Sequence, residues 1–312
     1  MKDFCWFQGV VEDRGDPLKL GRVRGRCLGY HTEDKMDLPT QDLPWAHPIQ
    51  PVTSAAMSGI GTAPIGPVEG TWVFGFFRDG DLAQLPVILG TIGGESFLPN
   101  TDPNIGFKDP NKNYPLKEGP NAAGLTAPGS DTNSLARGES GLPIQNRQEN
   151  LDQFAKHFES MFTFAPVAEP SPRYDAQYPF NHVKFTESGH VEEFDDTPGA
   201  ERIHRYHRSG TFEEIGPDGE RVLKVVNKNY SVTLGDNDVH VKGNANIQVD
   251  GESSIILSGA TRISALSDLS LNVLGDFDLN ALGKINITGL ETSIRGFPIK
   301  LNSDIDPEDI PT

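Results

Sequence analysis

The feature that most constrains this chain is a repeat of eight between about residues 231 and 300. Position one of the repeat reads Val239, Ile247, Ile255, Ile263, Leu271, Leu279 and Ile287. Position three reads Val241, Val249, Leu257, Ala265, Val273, Ala281 and Gly289. Position five reads Gly235, Gly243, Gly251, Gly259, Ser267, Gly275 and Gly283. A period of eight is neither the 3.6 of a single helix nor the 7 of a coiled coil, so both are excluded. Residues two apart in a strand share a side, so positions one and three face together and the polar residues between them face away. Glycine at position five suits a corner. The chain is thus expected to run a short strand, turn, and run another.

Three such sides close a triangular prism with a dry axis. One chain closing the prism alone would make about three turns, a marginal solenoid, since each unit must bury its face on neighbours. Three interleaved chains would stack strands about 4.8 Å apart, so eight or nine octads give a rod of roughly 40 Å. In this reading the axial core is Val239, Val241, Ile247, Val249, Ile255, Leu257, Ile263, Leu271, Val273, Leu279 and Ile287, and the corners are Gly235, Gly243, Gly251, Gly259, Gly275 and Gly283. Gly259→Val is expected to force a Cβ into a corner and lower trimer yield and melting temperature.

The rest of the chain divides by composition. Residues 1–95 carry strand signals at 4–11, 20–28, 71–77 and 86–92, separated by turn residues such as Gly15-Asp16-Pro17 and Asp79-Gly80-Asp81. About five short strands in that length fit a small barrel such as an OB-fold. Residues 96–180 read as a linker, because Asn, Pro, Gly, Ser and Asp dominate 98–146. One amphipathic helix is expected over 150–162, where Leu151, Phe154, Phe158, Met161 and Phe162 share a face. Residues 181–230 read as an antiparallel meander with turns near Gly189, Gly199, Gly210 and Gly219. Residues 231–302 are the octads, and 303–312 form an acidic tail containing Pro307 and Pro311. The fold class is therefore all-β.

Charge narrows the function classes. The chain of 312 residues holds 27 Lys and Arg against 44 Asp and Glu, a formal charge of −17. Arg22, Arg24 and Arg26 alternate along one strand and share a face. Residues 1–100 nonetheless contain 8 basic and 12 acidic side chains, so the field is wrong for nucleic acid. The stripe is read instead as a hub-facing or subunit-facing surface, with Phe154 and Phe158 as further interface candidates. No apolar run is long enough to cross a membrane as a helix, and Met1-Lys2-Asp3-Phe4-Cys5-Trp6 lacks the apolar core of a signal peptide. Two cysteines make no disulfide framework.

Catalytic and metal sites are not expected. His204 and His207 are three apart on a strand and face opposite sides, a poor chelating pair. Asp195 and Asp196 diverge, and Asp196-Thr197-Pro198-Gly199 is turn chemistry. No cofactor is implied, and residues 241–312 contain no histidine that could cap an apex with metal.

Several blocks resemble the central spike proteins of contractile-tailed phage baseplates. They are Trp6-Phe7-Gln8-Gly9-Val10-Val11-Glu12-Asp13-Arg14 with Asp16-Pro17-Leu18-Lys19-Leu20-Gly21-Arg22-Val23-Arg24; Leu43-Pro44-Trp45 and Pro51-Val52-Thr53-Ser54-Ala55-Ala56-Met57-Ser58-Gly59-Ile60-Gly61; Glu187-Ser188-Gly189-His190 with Glu193-Phe194-Asp195-Asp196-Thr197-Pro198-Gly199; and the octads. The likeness is nearest to the T-even-type tail-associated lysozyme spike, with bacterial VgrG spikes as more distant relatives. The resemblance implies a homotrimer with an OB barrel per subunit and an intertwined triangular β-helix. It implies a trimeric baseplate hub bound by the barrels, a PAAR-type tip protein on the C-terminal end, a place in the virion tail, and transient passage through the host outer membrane. The T-even-type relative carries a lysozyme domain between barrel and β-helix. Here that interval is about 85 residues, against roughly 150 for such a domain, and Glu149, Asp152 and Glu159 fall on one helix without a cleft. A non-enzymatic spike is expected. The alternatives are a spike with a divergent peptidoglycan hydrolase in 96–180, or a VgrG-type secretion spike.

Overall fold

The computed structural model describes residues 5–94, 102–111, 131–139, 169–249 and 251–296. Ten strands and two short 3-10 turns make up its regular structure among those residues. The expected helix at 150–162, with Phe154 and Phe158, lies outside them, as does the tail at 303–312.

The first five strands are β1 (Cys5–Asp13), β2 (Val23–Cys27), β3 (Trp45–Pro48), β4 (Trp72–Phe77) and β5 (Pro86–Ile92). They close a barrel in the order β1-β2-β3-β5-β4, antiparallel except for the parallel pair β3 and β5. The sequence reading anticipated four of the strands. It missed β3, which has four residues and no alternation of its own. Inward positions carry Phe7 and Val11 on β1, Val23 and Cys27 on β2, and Val73 and Phe77 on β4, all buried in one core with Ala46 and Ile88. Between each pair sits a buried glycine, Gly9, Gly25 or Gly75. A five-stranded barrel is too narrow for a third large layer. At Gly75 the point is sharp, because a Cβ there would run into the Val87 carbonyl and the Phe7 ring.

The outer side of the barrel is not all solvent. Arg26 is fully buried and each nitrogen of its guanidinium donates: Nε and Nη2 to Glu12 at 2.7 and 3.2 Å, Nη1 to the Thr32 carbonyl, and Nη2 to the Leu38 carbonyl. Glu12 also accepts from Thr40 Oγ1 at 2.7 Å and from the Phe107 N–H at 2.9 Å. Residues 102–111 thus lie across this pair, held by an Asp34–Ile105 bridge and the Gly106 N–H to Glu33 carbonyl bond. Gly106 is required there, since a Cβ would meet the Arg26 side chain. Burial pushes the Glu12 carboxyl up, but the hydrogen bonds from Arg26 and Thr40, the Arg26 charge and the Phe107 N–H together hold it below its ordinary 4.5.

The second sheet is a meander of β6 (Asn181–Phe185), β7 (Val191–Asp195), β8 (Arg202–Tyr206), β9 (Phe212–Ile215) and β10 (Arg221–Lys224) in sequential antiparallel order. Its four turns place Gly189, Gly199, Gly210 and Gly219 at φ between +80° and +92°, a region that favours glycine. One face carries Val191, Phe212 and a buried polar set: Asn181, Glu193, Asp195, Arg202, His204 and Glu214. Arg202 donates to Glu193 at 2.7 Å and to Glu214 at 3.1 Å, and His204 Nδ1 bonds Glu193 at 2.7 Å. Two pieces of the expected linker cover this face. Leu135 is fully buried against Val191, Tyr174 lies over the Arg202 guanidinium at 5.2 Å, and Asn181 Nδ2 donates to the Leu135 carbonyl.

From 225 to 249 and from 251 to 296 the described chain forms no strand and no ladder. It bends at 226–227, 234–235, 242–243, 251, 259, 266–267, 274–275, 282–283 and 290–291, always at octad positions four and five. The position-one aliphatics are exposed throughout, from 60% at Leu279 to 91% at Ile247. Within one chain the expected axial core does not form. The corner glycines also need a different account. None of Gly235, Gly243, Gly251, Gly259, Gly275 and Gly283 has a left-handed φ, and a Cβ on any of them would meet nothing within 4 Å. Gly259→Val therefore has no reason within the chain to disturb the fold; only a neighbouring chain could supply the clash.

Substitutions at four positions test this packing. Gly75→Val should destabilise the barrel by about 1–3 kcal/mol or more, read as a lower urea midpoint, while Gly90→Ala, where a Cβ meets open space, should change little. Arg26→Met leaves a buried carboxylate alone and should cost about 3–5 kcal/mol at neutral pH, much of it restored by adding Glu12→Leu. Because Glu12 is depressed in the fold, its stabilisation is present above the unfolded value of 4.5 and is lost as pH falls through the lower folded value. Glu12→Gln should flatten that acid loss in denaturant titrations.

Candidate functional site

The surfaces that could meet partners carry the functional question in this chain. The expected arginine stripe is the first of these. Val23 and Cys27 point into the barrel, so Arg24 and Arg26 point out, as the alternation requires. Each arginine nevertheless finds an acidic partner in its own chain. Arg22 donates to Asp16 at 2.7 and 3.1 Å, and Arg24 reaches Asp13 at 3.3 Å. Both lie over the Trp45 ring, at 5.5 and 4.4 Å. The hydrogen bond from Arg22 is the chief reason that the Asp16 carboxyl lies far below its ordinary range. Arg26 is removed from the candidate interface altogether: its burial under residues 102–111 leaves nothing for a partner to touch.

A neighbouring face of the barrel is apolar and was not singled out by sequence reasoning. On β1 and β4, Trp6 and Phe74 stack with ring centroids 5.4 Å apart and 3° between planes, and Phe76 meets the Trp6 edge at 5.8 Å. Trp6 is 52% exposed. Leu89 and Ile92 extend the patch along β5. The signal was present in the alternation itself, since Trp6, Phe74 and Phe76 occupy the positions opposite to the inward Phe7, Val73 and Phe77. A second apolar feature is the loop between β3 and β4, where Val52, Met57, Ile60 and Ile65 are all exposed. A Met57–Ile60 bridge pinches its tip.

On the meander the polar face is closed and the opposite face is open. Phe194, Ile203 and Ile215 lie side by side across β7, β8 and β9, with Phe194 and Ile203 exposed. Such a cross-strand row is a natural contact surface. Arg14 ties the barrel to the meander through both oxygens of Glu187 at 2.8 Å, and also reaches Glu69 at 3.3 Å. The pair is solvent-exposed, so it orients more than it stabilises. Asp131 and Gly94 exchange two further bonds of 2.9 Å.

The histidines and paired aspartates sit where strand geometry puts them. His204 faces into the buried network, whereas His207 stands beyond the end of β8 and packs on His190 with centroids 4.4 Å apart. Asp195 is turned inward and accepts from the Thr197 N–H and hydroxyl, while Asp196 faces out toward His182 at 3.6 Å. Among the described residues no three His, Cys, Asp or Glu side chains converge as metal ligands. The octads supply the largest exposed apolar set, the position-one and position-three aliphatics.

Comparison with known proteins gives these surfaces a setting. The family described as Gp5 N-terminal OB domain matches residues 29–166; the first two barrel strands precede that match. The chain is 44% identical over 273 residues to Protein Gp5 of Vibrio phage KVP40, covering 77% of this chain and 62% of that protein. It is 49% identical over 140 residues to the pre-baseplate central spike protein Gp5 of Enterobacteria phage T4, covering 43% of this chain and 22% of that protein. The chain spans less than two thirds of the length of either relative. A closed five-stranded barrel that overlaps the matched residues and this level of identity lead to one conclusion: the chain is similar to the Gp5 proteins of these two phages, and its barrel region matches the Gp5 N-terminal OB domain.

Proposed function

We propose that this chain is the structural central spike of a phage contractile-tail baseplate and acts as a homotrimer. The observation that carries the reading is the exposed octad tract in a chain similar to a pre-baseplate central spike protein. Seven aliphatics at a fixed period, each leaving water with about 1.5–3 kcal/mol of gain when buried, are a strong drive toward association with chains of the same period. Three interleaved copies satisfy the strand edges as well as the apolar side chains, which a single copy does not.

In this reading the mechanism is mechanical. The barrel docks on a trimeric hub, with the Trp6–Phe74 face, Arg22 and Arg24 as the available contact chemistry. The interleaved prism carries the axial load of sheath contraction to a small area of the host outer membrane. A conical tip protein of the PAAR type covers the open strand edges at the far end. Residues 96–180 contribute no muralytic domain. Their described parts, 102–111, 131–139 and 169–180, lie against the barrel and the meander as covering segments, with Leu135 and Tyr174 as anchors.

Light scattering on the purified chain should give three times 34.0 kDa, with a species that resists detergent without heating. A monomeric mass at all concentrations would remove the prism and the piercing role with it. Zymography on peptidoglycan should show no clearing; a cleared zone would establish a hydrolase in the interval between the two sheets.

A further inference from the structure

The octads are not uniform along the chain, and their change of pattern has a physical consequence. Between bends the chain runs on through positions six, seven, eight, one, two and three. Residues two apart in an extended segment share a side, so position seven faces the same way as positions one and three. Position seven is small in the first four octads, and polar in three of them: Asn237, Ala245, Ser253 and Thr261. It is large and apolar in the next three: Leu269, Phe277 and Ile285.

Position three shrinks to alanine in two of the three later octads. It reads Val241, Val249 and Leu257, then Ala265, Val273 and Ala281. Positions three and seven of one octad flank the same bend. The pair Leu257 and Thr261 is followed by Ala265 and Leu269, then Val273 and Phe277, then Ala281 and Ile285. In the first and last of these later pairs bulk lies on the position-seven side, in the middle one both residues are large, and in none is position seven polar. The exchange of bulk in the first and last pairs is expected where side chains fill a shared, closely packed interior.

The bend residue itself changes too. After Leu234, position four is Lys242, Asp250 and Ser258, and then Leu266, Leu274, Leu282 and Leu290. The last four are among the most exposed aliphatics of the chain, at 107%, 81%, 103% and 113%. The segments 269–274 and 277–282 are therefore apolar at all of positions seven, one, three and four. The segments 237–242 and 253–258 are apolar at only positions one and three of that set.

We infer that residues 263–290 form the principal self-association surface of the octad tract, and that its occupant is further copies of this chain. The inference rests on the homotrimer proposed above. A surface with one apolar cluster every eight residues, broken by a bend at the same place each time, is matched by a strand of the same period, which each further copy provides. With strands about 4.8 Å apart, each bend leucine of one copy sits against the bend leucines of the copies above and below it. Layers of Asn237, Ser253 and Thr261 in the earlier octads must hydrogen-bond when buried, which favours a specific register at a cost in affinity. The Leu269, Phe277 and Ile285 layers carry no such requirement. The later octads supply the hold between copies and the earlier ones the register.

The test uses the full chain and matched position-one substitutions in the two sections. Leu271→Asn with Leu279→Asn should raise the concentration at which the trimer dissociates by about 100-fold or more, measured by sedimentation. Ile247→Asn with Ile255→Asn should raise it by less than about tenfold. Leu269→Asn with Ile285→Asn, which puts small polar residues at position seven of the later section, should behave like the first pair. Equal weakening by the first two pairs would overturn the inference while leaving the trimer intact. A wild-type chain that stays monomeric would instead overturn the homotrimer on which it rests. None of these residues lies in the barrel or meander, so intrinsic Trp fluorescence and circular dichroism should report both sheets unchanged in every variant.

Discussion

A buried guanidinium, paired with a carboxylate on a neighbouring strand, organises each of the two folded sheets. In the barrel Arg26 spans Glu12 on the adjacent strand and two backbone carbonyls, and Glu12 reaches on to the N–H of Phe107. In the meander Arg202 bridges Glu193 and Glu214 on the strands to either side, under the ring of Tyr174. Removing such a charge from water is expensive, so the arrangement persists only where close partners compensate it. The covering segments are those partners or their supports. Lose the strap at 102–111 and Glu12 loses a donor; lose the strap at 131–139 and Asn181 loses the Leu135 carbonyl. This is why a stretch with the composition of a linker is in its described parts a structural element.

The two sheets and the octads obey different rules. The barrel and meander form their strand ladders and bury a core within one chain. The octads do neither. Their bends recur at a fixed position and their aliphatics remain in water. A chain with this division has two sheets that form their own ladders and a segment that, among the described residues, forms none. The glycines make the same distinction. Gly75 and Gly106 are needed because atoms of the same chain crowd them, whereas the corner glycines of the octads face open space and any requirement for them must come from neighbours.

That division suits a load-bearing spike. The barrel has an exposed aromatic face, and the meander adds a second sheet tied to it by Arg14, Glu187 and the Asp131–Gly94 bonds. An interleaved prism would then transmit force through hydrogen bonds shared among copies, with no internal loops to yield. Relationship to a pre-baseplate central spike protein and the chemistry of the octads support the same picture from independent directions.

What the sequence by itself determined is what depends on local chemistry and short periods. The meander turns are legible in Gly189, Gly199, Gly210 and Gly219, because a left-handed turn residue is nearly always glycine. The barrel strands are legible in alternation around Phe7, Val23 and Val73, and the octads in a period that repeats seven times. The tertiary structure alone decided which charged residues are interior. Arg22, Arg24 and Arg26 are equivalent by alternation, yet Arg26 is sealed while Arg22 and Arg24 keep partial access to water. The difference is a strap anchored 95 residues from Glu12. The same holds for Glu193, Arg202 and His204, whose burial no strand pattern announces and which lie beneath Leu135 and Tyr174. Burial of a charge is set by what packs over it, and that partner comes from a distant part of the chain that no local pattern identifies.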